Sequence, residues 1–278
     1  MPIFHLWNFS SKRSMQRIAI RFFSVEKFSY HKRTLPSSLI ALSSKEGKQL
    51  FREALQGDGM ESFFPLSEQF VTQSEPSFCS LSSLAMVLNA LSFDPKRIWK
   101  GAWRWVSEEM LQCESAAVCG HSIERIKTEG MNFDEFAALA KCHGVTIQSY
   151  RASKNENEYL SFKDKVIEVS QNSNANQFII VNFSRKYLGQ TGIGHFSPIG
   201  GYHAASDLAL VLDVARFKYP PYWVPLKQLW ESMGEEDIHS SESRGYFVVS
   251  STSSNGTDNS NNNNSCCVHK HCHIDHKN

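Results

Sequence analysis

The chain has 278 residues, 29 basic against 28 acidic side chains for a formal net charge of +1, and 41% hydrophobic with 21% charged residues. That balance supplies one sizeable core plus extensions and gives no general attraction to nucleic acid or to acidic membrane, although local basic clusters can still meet a small anionic substrate. No apolar run approaches the roughly eighteen residues of a membrane span. The seven cysteines, three of them within the last thirteen residues, form no obvious disulfide framework, which fits a reducing compartment.

Residues 1–25 contain Lys12, Arg13, Arg17 and Arg21, four serines and no acid. Met15, Ile18, Ala19 and Phe22 make an apolar helical stripe opposite Arg17 and Arg21, the composition of a mitochondrial targeting segment; a plain basic extension of a cytoplasmic protein is the alternative. We assign 1–33 as leader. Ser43 or Ser44 then caps a helix over 44–55, punctuated by Gly57 and Gly59.

The next stretch, from Gln73 through Cys79 to Asn89, carries chemistry. Leu81, Leu84, Ala85, Leu88 and Leu91 follow the helical period, and Pro76 and Ser77 give a start signal. With Ser77 as N-cap, Cys79 lies in the first turn, where unpaired N–H groups and the helix dipole favour thiolate. Gln73, six residues earlier, can reach back to the helix start so that its amide and the Cys79 N–H form an oxyanion hole. A small buried structural cysteine is the competing reading.

After Asp94-Pro95, the spacing of Trp99, Trp103, Trp105, Val106 and Met110 predicts a packed helical stretch with core tryptophans. Cys113, Cys119 and His121 are too loosely spaced for a typical zinc site, and loop or core roles fit them better. Asn132 caps a helix through Cys142 that Gly144 stops. Strands over 145–150 and 177–183 flank a polar, helical stretch at 155–169 and an Asn-rich turn at 172–176.

A nucleophilic cysteine needs a base and the base needs an orienting group. The runs 195–202 and 208–214, joined by a short polar link, read as an antiparallel hairpin. His195 and Asp213 are then directly opposite, or diagonal if the turn centres on residue 205, and either register keeps both on one face. Gly200-Gly201 inside the first strand signals a bulge or a close backbone approach, with room for substrate. A helix over 226–233 and a strand over 244–249 close the domain near residue 250.

Residues 251–265 are too polar to offset the entropy of ordering and read as a linker. The tail at 266–278 places Cys266, Cys267, His269, His271, Cys272, His273 and His276 within eleven residues. That density suits an adaptable binder of Cd, Zn or Cu(I) better than a folded finger; a flexible tail with incidental ligands is the alternative.

The order Gln73, Cys79, His195, Asp213, with the strings PSFCSLSSLAMVLNAL, GHFSPIGGYH and LDVARFKYPPYWV, resembles the phytochelatin synthases, papain-like transpeptidases, over residues 55–235. The resemblance implies an α+β papain-like fold at 34–250, a helical part with the nucleophile packed on an antiparallel sheet carrying His and Asp. It implies transfer of the γ-Glu-Cys group of glutathione to a second glutathione or a phytochelatin peptide, with release of glycine, for heavy-metal detoxification. Cys79 would be nucleophile, His195 base, Asp213 orienter and Gln73 oxyanion donor, while Arg185, Arg216, Lys218 and Tyr219 match substrate-contacting positions. No organic cofactor is implied. The metal ion, Cd or Zn, enters as a metal–glutathione thiolate, because thiolates capture soft cations. Hydrolysis of glutathione or its S-conjugates, and metal sequestration by the tail alone, are the competing functions.

Overall fold

The computed structural model describes residues 33–111 and 122–251. Residues 1–32 of the leader, the Cys113, Cys119 and His121 set, the linker from 252 and the Cys/His-rich tail lie outside the described residues.

Helix α1 (Lys45–Gln56) starts where Ser44 accepts a hydrogen bond from the Gly47 N–H, a cap worth about 1 kcal/mol. Trp223 reaches it from the sheet, its indole N–H donating to the Gly47 carbonyl. Short α2 (Phe63–Glu68) leads to the buried α3 (Cys79–Ala90). Beyond it come α4 (Ile123–Glu129), α5 (Phe133–Cys142), α6 (Glu156–Ser170) and α7 (Leu226–Met233). Asn132 and Glu135 form a reciprocal capping box at the start of α5, satisfying two otherwise orphaned N–H groups.

The sheet has seven antiparallel strands in the order β1 (Ile40–Ala41), β6 (Tyr222–Pro225), β5 (Leu208–Val211), β4 (Gly194–His203), β3 (Gln177–Ser184), β9 (Gly245–Ser250), β2 (Thr146–Arg151). A small second ribbon pairs β7 (Glu236–Asp237) with β8 (Glu242–Ser243). Both faces of the large sheet are covered. Phe178, Ile180, Phe196, Leu210 and Phe247 pack with α3 and α5, whereas Ile179, Val181, Val211, Tyr246 and Val248 pack with α6 and α7. That two-sided burial explains why the central strands read as continuous apolar runs rather than alternating ones. A helix bearing the cysteine laid on a sheet that bears the histidine, with the aspartate two residues past the end of β5, is the α+β, papain-like architecture.

Four local expectations are corrected. Phe78, not Ser77, is the N-cap of α3, and the Ser77 hydroxyl donates instead to the Lys127 carbonyl. Residues 98–105 are not a packed helix: only a 3-10 turn forms (Glu108–Leu111), and Trp99, Trp103 and Trp105 are exposed. Cys142 is disulfide-bonded, where no disulfide framework was expected. Gly200 and Gly201 do make a bulge, between Ile199 and Gly201, but a Cβ there would strike Leu212 at 2.8 Å and Met60 at 2.4 Å. The glycines admit core side chains, not substrate.

Candidate active site

Cys79 is the first residue of α3, where the backbone N–H groups have no preceding turn to donate to. α3 is anchored to β4 by the Ser83 hydroxyl, which donates to the Phe196 carbonyl at 3.1 Å. This contact sets the cysteine beside the strand bearing His195. The thiol is partly buried and is the free cysteine of the described residues. Burial pushes its pKa up, against the pull of the Phe196 and Ser80 N–H groups and the Arg185 charge. Burial thus works against the thiolate that the helix start favours.

The β4–β5 register pairs Ile199 with Val211, and the Leu212 N–H donates to the Pro198 carbonyl beyond it. Continued, this sets Ser197 across from Asp213 and makes His195 its diagonal neighbour, the second of the two registers expected. His195 Nε2 lies 3.0 Å from Asp213 Oδ1 and 2.9 Å from the Ser197 hydroxyl. With Nε2 held on that side, Nδ1 is the nitrogen left to exchange a proton with sulfur. Phe183 closes edge-on against the ring at 5.6 Å between centroids.

Arg185 completes the buried array. Its Nη2 lies 2.9 Å from both Asp213 oxygens, Nη1 donates to Gln190 Oε1, and its guanidinium stacks over Tyr219 at 5.2 Å. The Tyr219 hydroxyl in turn accepts from the Thr191 N–H at 2.8 Å. Burial alone would raise the Asp213 pKa, but His195, Arg185 and the Ala215 N–H hold it down at about 2. Burial and Arg185 hold His195 down at about 4 despite Asp213. A neutral base beside a fixed carboxylate is the consequence at any pH well above 4. For kcat/KM this places the acid limb near pH 4, not at the 6.5 of an ordinary histidine, with activity retained between. A pH–rate profile with its acid midpoint near 6.5 would overturn the assignment of His195 as a buried neutral base.

Cys79, Asn182, Arg185, His195 and Lys218 line one cavity of about 310 Å³, whose other walls include Phe217, Asp237, His239 and Arg244. Lys218 is half-buried, its pKa lowered by burial and by Arg185. Gly192 sits at φ +111°, and a Cβ there would come within 3.1 Å of Lys218 Nζ. Not every expected residue joins the site. Arg216 is exposed and stacks on Phe70 at 4.8 Å. Gln73 is buried, but its amide donates to the Glu75 and Pro76 carbonyls, both at 2.8 Å, so its N–H groups shape the approach to α3 instead of pointing at an oxyanion.

A family model for phytochelatin synthase matches residues 30–246. The chain belongs to the phytochelatin synthase family. Glutathione gamma-glutamylcysteinyltransferase 1 of Lotus japonicus is 47% identical over 221 residues, 79% of this chain and 42% of that protein. The second such transferase of Arabidopsis thaliana is 47% identical over 222 residues, covering 80% and 47%. That of Schizosaccharomyces pombe is 44% identical over 223 residues, covering 80% and 51%. The chain thus spans about half the length, or less, of these members of the phytochelatin synthase family.

The site also contains groups that sequence reasoning passed over. Arg244 is buried, with Nη1 donating to the Glu235 and Glu236 carbonyls at 2.9 and 3.0 Å and Nε 3.6 Å from Asp237 Oδ2. Asp237, itself buried, accepts the His239 N–H at 3.0 Å. A charged residue next to the apolar strand at 245–249, seven positions after the end of the acidic run Glu235-Glu236-Asp237, was the available signal.

Proposed function

We propose that this chain transfers the γ-glutamylcysteinyl group of glutathione to the amine of a second glutathione, or of a longer (γ-Glu-Cys)n-Gly peptide, releasing glycine. The observation that carries this reading is the buried His195–Asp213–Arg185 array opening with Cys79 onto one cavity, in a chain of this family. His195 Nδ1 takes the Cys79 proton as sulfur attacks the cysteinyl carbonyl. The same proton passes to the glycine nitrogen as the peptide bond breaks and a thioester remains. The amine of the acceptor then gives its proton to His195 and displaces the thiolate. N–H groups at the α3 start stabilise the oxyanion, and Gln73 contributes if one of its carbonyl bonds is released.

Glutathione is a string of charges, and the cavity answers them. Arg244 and Asp237 are matched to the α-carboxylate and α-amine of the γ-glutamyl end, and Lys218 to the glycyl carboxylate. Arg244→Met should lower kcat/KM about 10- to 100-fold, the worth of a charged hydrogen bond. It should also abolish the preference for glutathione over an analogue lacking the γ-glutamyl α-carboxylate. Persistence of that preference in the variant would remove Arg244 from recognition.

Mass spectrometry of products from glutathione and buffered cadmium or zinc tests the whole reading. Peptides of the form (γ-Glu-Cys)n-Gly support transfer; free glycine alone means hydrolysis, and metal binding with neither means sequestration. The metal would enter as substrate, held by the thiolates of two glutathiones, one of which serves as acceptor. We assign the tail ligands Cys266, Cys267, His269, His271, Cys272 and His273 a role in raising metal concentration near the site, to which the polar stretch at 251–265 tethers them. A chain ending at Ser250 should keep its basal rate and need more metal to reach it, and identical metal-response curves would leave the tail without that role.

A further inference from the structure

The eight residues 98–105, IWKGAWRW, are exposed without interruption and stand apart from the catalytic cavity. Trp103 is 74% and Ile98 69% exposed, with Trp99 at 38% and Trp105 at 39%. Large apolar side chains normally reach a surface singly, so four in eight residues mark a contact surface.

The segment is built to present them. Trp99 N–H donates to the Trp103 carbonyl at 2.7 Å and Trp103 N–H to the Lys100 carbonyl at 3.0 Å, closing a tight turn in which Gly101 takes φ +57°. At its base the Asn89 side chain clamps Val106 on both backbone groups, at 2.9 and 3.0 Å, which ties the turn to the end of α3. Arg97 donates to the Met110 carbonyl. The indoles are therefore held out by a hydrogen-bonded scaffold.

Charge identifies the partner. Lys96, Arg97, Lys100 and Arg104 interleave with the tryptophans, and Asp94 is the one acid from 94 to 105, pairing with Lys96 at 3.3 Å and Arg104 at 3.1 Å. Lys100 lies 4.8 Å over the Trp99 ring, beside the exposed tip. The centre of a protein interface is depleted of charge, whereas cations here alternate with aromatics throughout. Single-stranded nucleic acid favours a basic groove, and this is the tip of a turn. Tryptophan with lysine and arginine is the composition of the membrane–water interface, where indoles settle at headgroup depth and cations meet anionic lipid. We propose that the 98–105 turn docks this protein peripherally on an anionic phospholipid surface.

The test uses the full chain with vesicles of phosphatidylcholine alone and with about a third phosphatidylserine. Wild type should sediment with the anionic vesicles, its tryptophan emission shifting to the blue, and dissociate as salt rises. Trp99→Ser/Trp103→Ser and, separately, Lys100→Glu should each weaken partitioning about tenfold. Both should release glycine from soluble glutathione at the wild-type rate, which shows that they are folded. Equal partitioning of wild type and variants would assign any binding to another segment and overturn the proposal. So would loss in the variants of self-association or of oligonucleotide binding without loss of vesicle binding, or absence of vesicle binding in the wild type.

Discussion

Cys79→Ala is expected to abolish glycine release, by about 10⁵-fold or more, while glutathione still binds. Among the described residues no other thiol lines the cavity. The thiol is the free cysteine of the described residues, and His195 Nε2 is engaged by Asp213 and Ser197. Cys79→Ser should fare almost as badly despite its small change in size. The surroundings already raise the pKa of a thiol, and a hydroxyl starts from far lower acidity. Titration calorimetry with glutathione, beside a glycine-release assay, separates lost chemistry from lost binding. Turnover within tenfold of wild type in either variant would remove Cys79 from the role of nucleophile.

Asp213→Asn should damage both catalysis and stability, a combination that a simple orienting residue would not produce. The rate should fall by about 10⁴-fold, because an amide favours the wrong His195 tautomer. The fold should lose about 3–5 kcal/mol, because Arg185, buried and held by both Asp213 oxygens, is left with an uncompensated charge. The sign with pH is fixed by the depressed pKa of Asp213. Its contribution is full above the ordinary carboxylate value of 3.8 and is lost only as pH falls through about 2. Adding Arg185→Met to Asp213→Asn should restore much of the thermal stability and none of the rate. If the single variant melts with wild type, the Arg185–Asp213 pair is not the internal charge balance described above.

How much of this was legible beforehand differs from residue to residue. The helices at 45–56 and 133–142 were readable because their caps are local chemistry, as Ser44 and the Asn132–Glu135 box demonstrate. The shared face of His195 and Asp213 was readable because side-chain parity survives a two-residue slip. Arg216 and Lys218 were not separable by sequence. The chain turns at 216–218, where the Lys218 N–H donates to the Ala215 carbonyl, so one faces the cavity and the other lies on Phe70. The tryptophans at 99, 103 and 105 misled for the opposite reason. Their spacing fits a helix, but Gly101 at positive φ breaks the chain into a turn, and hydrophobicity alone does not say which side water is on. Arg244 and Asp237 left only a charge beside an apolar strand as a signal, because they meet through the small β7–β8 ribbon, which has no periodic pattern.

The anchoring of α3 on β4 has a consequence in time. The Ser83–Phe196 hydrogen bond joins residues 113 positions apart, and the N–H group that faces the cysteine sulfur comes from the same Phe196. A chain emerging from the ribosome exposes Cys79 long before its base and acid exist, and contacts of such separation form late. Until β4 and β5 pair, the sulfur is an ordinary thiol with no proton acceptor positioned for it. Competence to acylate therefore waits on the β4–β5 hairpin and on the docking of α3 against β4. A partly made chain lacks this chemistry until residues 194–213 have been made and β4 has paired with β5.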